Sequence, residues 1–344
     1  MQDSRGRASI FPRNRHTPGV RNGACRDVLK VWVYAILVVL LGAWSSPFFY
    51  NAGKALSEVT MGKKTNSVLK QLGDICGRAD FPVFYVGTMI GIALLLFLPF
   101  VESLDMKRAG KGLKSGQPLK KSRRRLLDCF TGFFLVSGLF LLIGYAMLST
   151  GSFVWRETPA SLTDIARIYL PALFLGVVIV EWIFRGVALG IFLRGAGSSS
   201  AITLSAILFT SVYLMRPPEG MNVPDPDAAG VGFELLKMVL QRFLDPWVWA
   251  KDVLPLFAMG WVLGYARWRT ASIWMPLGLH AGWVTANALF LGYSRPVFRS
   301  DLIAQALAGR TLAEGLIPLA GILVVGTLIY FLTDSSREVS ISDA

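Results

Sequence analysis

The chain is poor in charge, in histidine and in cysteine. Only 17% of its 344 residues are charged, where a soluble domain carries roughly 25%. An ordinary water-facing surface is thereby excluded for much of its length. The two histidines, His16 and His280, cannot build a site from several imidazoles. The three cysteines, Cys25, Cys76 and Cys129, include no CxxC pair, which removes both a zinc finger and a disulfide framework. Alternation of apolar and polar residues with period two is missing, which argues against a membrane β-barrel. No cleavable leader stands out either. The first apolar run is longer than a signal-peptide core and follows a polar arm, so it reads as an uncleaved anchor.

Long apolar runs are what the chain has in quantity. Hydrophobic residues make up 53% of it, and eight windows approach the about 20 apolar residues that a membrane span takes. They are 31–50, 82–101, 126–148, 167–193, 200–216, 252–268, 272–292 and 315–333, the fifth and sixth being short. The expected fold is an all-α polytopic membrane helix bundle with about eight transmembrane helices. The expected organisation is a basic disordered arm over 1–30, three N-terminal helices over 31–148 with a basic loop at 102–125, a core over 165–295, and a last helix and polar tail over 296–344.

The net charge of +13 sits in two clusters that flank spans. Arg5, Arg7, Arg13, Arg15, Arg21, Arg26 and Lys30 precede the first span. Lys107, Arg108, Lys111, Lys114, Lys120, Lys121, Arg123, Arg124 and Arg125 follow the second. Such clusters mark the cytoplasmic side and attract anionic lipid headgroups. Membrane lipids rather than nucleic acid are the partners this implies. Both clusters agree on one orientation, a multi-pass integral membrane protein with cytoplasmic N- and C-termini. On the opposite side, the segment 216–250 reads as prolines followed by an amphipathic surface helix around Phe233 to Phe243, lying against the membrane.

Charged residues inside spans are costly and mark function by default. The fourth span contains VEWIFRG, residues 180–186. Glu181 and Arg185 are four apart, share a helix face and can pair, either as part of a site or only to fix helix packing. His280 lies within the seventh span beside Gly278, Ala281 and Gly282, small residues that let another helix approach. Asn287 lies seven residues on, on the same face. Tyr213 stands at the outer end of the fifth span, four residues after Phe209, where it alone would read as an interfacial aromatic. At about 1.5 Å per residue, Glu181, Tyr213 and His280 fall in one broad midplane zone. Zinc takes three or four His, Cys or carboxylate ligands. Glu181 and His280 fall short of that, so neither a metal nor another cofactor is expected.

Three stretches together resemble the CAAX protease and bacteriocin-processing (CPBP, or Abi) family of intramembrane endopeptidases. EWIFRG, residues 181–186, looks like the second half of an EExxxRG motif. SAILFTSVY, residues 205–213, resembles the segment that carries FxxxH. MGWVLGYARWRTASIWMPLGLHAGW, residues 259–283, resembles the Gly-rich helix, turn and His-bearing helix of the family. The resemblance implies peptide-bond hydrolysis inside the membrane, commonly on a prenylated protein tail. It implies a water activated by the first Glu of EExxxR and the His of FxxxH, with an oxyanion held by the His and Asn of HxxxN. In this chain those positions are Val180, Tyr213, His280 and Val284, so only His280 keeps its residue type. Glu181 and Arg185 match the second Glu and the Arg.

Three readings follow. One is a pseudoprotease that keeps the fold and binds membrane-bound or prenylated peptides without cutting them. Another is an active protease with a rearranged site, in which Glu181 is the base, Tyr213 a donor, and Asn287 assists His280. The third, from a different class, is a small transporter or channel that uses the buried Glu181–Arg185–His280 cluster.

Overall fold

The apolar runs fold as helices because hydrocarbon offers no partner for backbone amides, and a helix satisfies them internally. The computed structural model describes residues 18–61, 66–104, 122–171, 176–218, 220–297 and 302–342. The chain opens with α1 (Pro18–Thr60), α2 (Ser67–Arg78), α3 (Phe81–Ser103) and α4 (Ser122–Ser149). Strand β1 (Phe153–Trp155) and α5 (Leu162–Pro171) come next. They are followed by α6 (Val178–Glu181), a π-wound stretch Trp182–Ala188, α7 (Leu189–Gly195) and α8 (Ser198–Leu214). Helices α9 (Val231–Gln241), α10 (Leu254–Thr270) and α11 (Trp274–Tyr293) precede strand β2 (Ser294–Pro296), α12 (Leu302–Ala308) and α13 (Leu316–Ser342).

This is an all-α membrane helix bundle. Four stretches are long and apolar enough to cross a membrane: Cys25–Thr60, Phe81–Ser103, Arg125–Ser149 and Leu316–Thr333. The remaining expected windows fold as shorter or more polar helices. The fourth is divided among α5, α6, the π-wound stretch and α7, with residues 172–175 outside the described ones. The fifth and sixth become α8 and α10, of 17 residues each. At 17 residues, α8 is apolar but shorter than a full span.

Three expectations meet a different structure. The arm expected over 1–30 is helical from Pro18 onward, while residues 1–17 lie outside the described ones. Most of the basic loop, 105–121, also lies outside them. The tail expected after residue 333 continues α13 as helix to Ser342. The amphipathic segment after residue 230 packs one apolar face on protein, while Phe233 and Leu240 stay exposed. Its apolar face, Val231, Leu235 and Leu236, is buried with Ala43, Phe81 and Tyr85. Gly232 makes that packing close, since a Cβ there would stand 1.9 Å from the Ala43 carbonyl oxygen. A protein face covers the apolar stripe as well as a lipid face would, and the hydrophobic pattern alone does not distinguish them.

The chain divides into two compact units. One comprises residues 27–111 and 211–246 and holds α2, α3, α9 and most of α1. Within it, Lys54 Nζ donates to the Gly77 and Ala79 carbonyls at 2.9 and 3.0 Å, closing the C-terminal end of α2 with a cation. Tyr34 Oη donates to the Ala93 carbonyl at 2.6 Å, joining α1 to α3.

The other unit holds α4 to α7, most of α8, and α10 to α13. Its spine is α11 packed along α4. Gly278 and Gly282, one turn apart, meet the backbone of Cys129 and Phe133, and Gly132 meets Met275 and Leu279 in return. Small residues at both sides of a helix crossing let the backbones touch. At their far ends the two helices are joined by the antiparallel pair β1–β2, in register Phe153↔Pro296 and Trp155↔Ser294. Arg156 Nε donates to the Leu291 and Ser294 carbonyls and so closes α11. Helix α11 is therefore held along its length and at its end, which sets the height of His280.

This packing makes a prediction. Gly278→Ala places a methyl group 1.9 Å from the Cys129 carbonyl oxygen and should destabilise the protein in detergent by about 1–3 kcal/mol, the usual cost of overpacking. Gly190→Ala, where a Cβ meets nothing within 4 Å, should be neutral or stabilising by up to about 1 kcal/mol. Thermal unfolding of both variants checks the contrast.

Candidate functional site

The EWIFRG stretch is wound wider than an α-helix. The Leu189 N–H donates to the Phe184 carbonyl, five residues back, at the end of the π-wound turn. Such turns are found frequently at functional sites. Here the turn carries Arg185 and follows directly on Glu181.

Both of those side chains are buried completely, with 0% of Glu181 and 1% of Arg185 exposed. Arg185 Nη1 donates to Glu181 Oε1 at 3.0 Å. His280, 8% exposed on α11, places Nδ1 at 2.7 Å from the same Oε1. One carboxylate oxygen thus receives a guanidinium and an imidazole from two different helices. The three residues singled out for charge in the sequence come together in one cluster.

Arg185 is held on its other sides as well. Its Nη2 donates to the Gly260 carbonyl at 3.4 Å. That carbonyl can come near because α10 and α8 are close: a Cβ on Gly260 would stand 3.0 Å from the Phe209 ring and 3.2 Å from Ala206 Cα. The guanidinium stacks over Phe209, 4.5 Å from its centroid, and lies 5.9 Å from that of Phe184. Phe209 also stands edge-on to the His280 ring at 6.4 Å. The negative face of an aromatic ring stabilises a cation that has left water, more so in a dry site. Ser205 Oγ donates to the Phe184 carbonyl at 3.4 Å, tying α8 to the π-wound stretch.

Two atoms of the ion pair, Glu181 Oε2 and Arg185 Nε, are buried with no hydrogen-bond partner among the described residues. The site therefore keeps one acceptor and one donor beyond those used to hold it together.

The other sequence candidates have different surroundings. Tyr213 is 52% exposed and belongs to the unit of α1 and α3, at the end of α8. Asn287 Oδ1 accepts the Leu312 N–H at 3.0 Å and so fixes the turn before α13. It is two helical turns, roughly 10 Å of rise, from His280. Val180 and Val284 are partly buried aliphatic side chains that cannot carry a proton. Phe209 and Gly260 had not been read as site residues. Phe209 entered only as the first letter of a motif, and a main-chain acceptor such as the Gly260 carbonyl leaves no mark in sequence.

The donor set does not suit a metal. Glu181 and His280 supply two ligands, one of them engaged by an adjacent cation, where zinc takes three or four. Among the described residues no group of three or more His, Cys, Asp or Glu side chains stands together.

Broken and short helices surround a buried Glu–Arg–His cluster within an all-α membrane helix bundle. Residues 163–286 match the family model described as type II CAAX prenyl endopeptidase Rce1-like. The matched stretch contains the whole cluster, and the match supports a likeness to the CAAX protease family over this part of the chain. No curated protein and no solved structure matches the chain.

Removing one member of a buried pair leaves a charge without compensation, at a typical cost of about 3–5 kcal/mol. Arg185→Ala and Glu181→Ala should each destabilise by that order, measured by unfolding in detergent. The double variant should lose clearly less than the sum, since it strands neither charge.

Proposed function

We propose that this protein is a non-cleaving CAAX protease homologue that holds a membrane-embedded peptide at its polar core. Lipidated tails are the substrate class its family suggests. The observation that carries the reading is the double engagement of Glu181 Oε1 by Arg185 and His280. A carboxylate balanced by a guanidinium at 3.0 Å acts as a counter-ion that organises helices. The positions from which the family would activate a water carry Val180 and Tyr213 instead. Valine holds no proton, and tyrosine, with an ordinary pKa of about 10, is a poor base near neutrality.

The cluster keeps one acceptor, Glu181 Oε2, and one donor, Arg185 Nε, with which to hold a peptide. The basic clusters at 1–30 and 102–125 favour cytoplasmic termini and contact with anionic headgroups on that face. A lipidated tail arriving from the cytoplasm would meet this face first.

The test uses full-length protein in liposomes and a farnesylated peptide ending in a CAAX sequence and bearing a photoreactive group. Mass spectrometry should find no cleavage above a protein-free control, while illumination crosslinks the peptide to the segment 178–293. Robust turnover that disappears in Glu181→Gln would overturn the non-cleaving reading in favour of the rearranged site. Absence of crosslinking would overturn the binding reading.

A further inference from the structure

The hydrogen of His280 can be located from its neighbours. Arginine is charged at all accessible pH values and only donates. A fully buried carboxylate 3.0 Å from Arg185 Nη1 is therefore its ionised counter-ion, and an ionised carboxylate only accepts. At 2.7 Å from Oε1, Nδ1 of His280 must carry a hydrogen and donate it, because a bare lone pair there would face a negative oxygen. Glu181 and Arg185 already cancel. A neutral ring keeps the cluster free of net charge, which is expensive to place in hydrocarbon. A neutral imidazole has a single N–H, so Nε2 holds a lone pair.

We propose that His280 is the hydrogen-bond acceptor of the site, and that Glu181 is the positioning residue that makes it so. A bound peptide is then recognised at Nε2 by a group that donates, a main-chain N–H or a hydroxyl. It is not recognised there by a carbonyl oxygen or a carboxylate. This reverses the role that the family resemblance implies for the histidine, which is to donate toward a developing oxyanion. The reversal follows from a carboxylate lying behind the ring, because the hydrogen bond made by one ring nitrogen selects the tautomer. Phe209 is an aromatic neighbour of the ring, at 6.4 Å between centroids. The ligand half of the proposal rests on the peptide-binding reading above, whereas the tautomer does not.

Two histidines in the whole chain make the measurement direct. In full-length His16→Ala protein with ring-labelled ¹⁵N-histidine, every imidazole signal belongs to His280. The spectrum should show one tautomer, with Nδ1 protonated and Nε2 bare. Protonation at Nε2, or at both nitrogens near neutral pH, would overturn the assignment. In Glu181→Ala the Nδ1–H form should lose its dominance. A single unchanged tautomer there would show that Glu181 does not set it.

Titration with the farnesylated peptide should then shift the Nε2 resonance in the hydrogen-bonded direction. A peptide that crosslinks but leaves Nε2 unmoved would overturn the recognition role alone. A peptide that fails to crosslink, with Nε2 bare, would overturn the binding reading and the recognition role with it, and leave the tautomer standing.

Discussion

A single oxygen atom, Glu181 Oε1, receives both a guanidinium and an imidazole, and the arrangement of the surrounding helices follows from the need to keep those partners in place. An isolated carboxylate or guanidinium in hydrocarbon is costly, and pairing recovers the cost only when geometry and further hydrogen bonds are good. Each neighbouring element supplies one part of that geometry. The π-wound turn sets Arg185 relative to Glu181. Helix α10 lends the Gly260 carbonyl, and α8 lends the face of Phe209. Helix α11 brings His280, at a height fixed by the glycine contacts with α4 and by the β1–β2 clip. Helix α4 lies outside the matched residues 163–286, so the part of the chain before the family core contributes directly to the position of its histidine.

What could be read from the sequence depended on the physical origin of each feature. The spans were legible because burying about 20 apolar residues leaves an unmistakable run. The cluster was legible because Glu181, Arg185 and His280 are expensive where they stand, and expense in a span is a signal. Features governed by packing were not legible. An amphipathic stripe announces that Val231, Leu235 and Leu236 will be covered, but not whether lipid or the α1–α3 face will cover them. Asn287 shares a face with His280 by count, yet its amide serves the turn at Leu312. The π-wound turn has no sequence signature at all, and neither does the acceptor role of a glycine carbonyl.

The family and the chemistry separate at this point. The family likeness rests on three motif segments in order, and Glu181, Arg185, Phe209, Gly260 and His280 from them meet at the cluster. Hydrolysis would rest on a few groups that handle protons, and those positions carry Val180, Tyr213 and Val284. What remains is a buried ion pair that keeps a carboxylate oxygen and a guanidinium N–H without a hydrogen-bond partner among the described residues. In the proposed reading such a centre holds a polar group rather than cutting a bond.

The central claim is that Glu181 and His280 are energetically one unit across two helices. A double-mutant cycle of Glu181→Gln and His280→Ala, read by unfolding of the full-length protein in detergent, measures that coupling. The account predicts an interaction energy of at least about 1 kcal/mol, as for residues in direct hydrogen-bonded contact. Effects that add to within about 0.3–0.5 kcal/mol, as distant sites do, would contradict it.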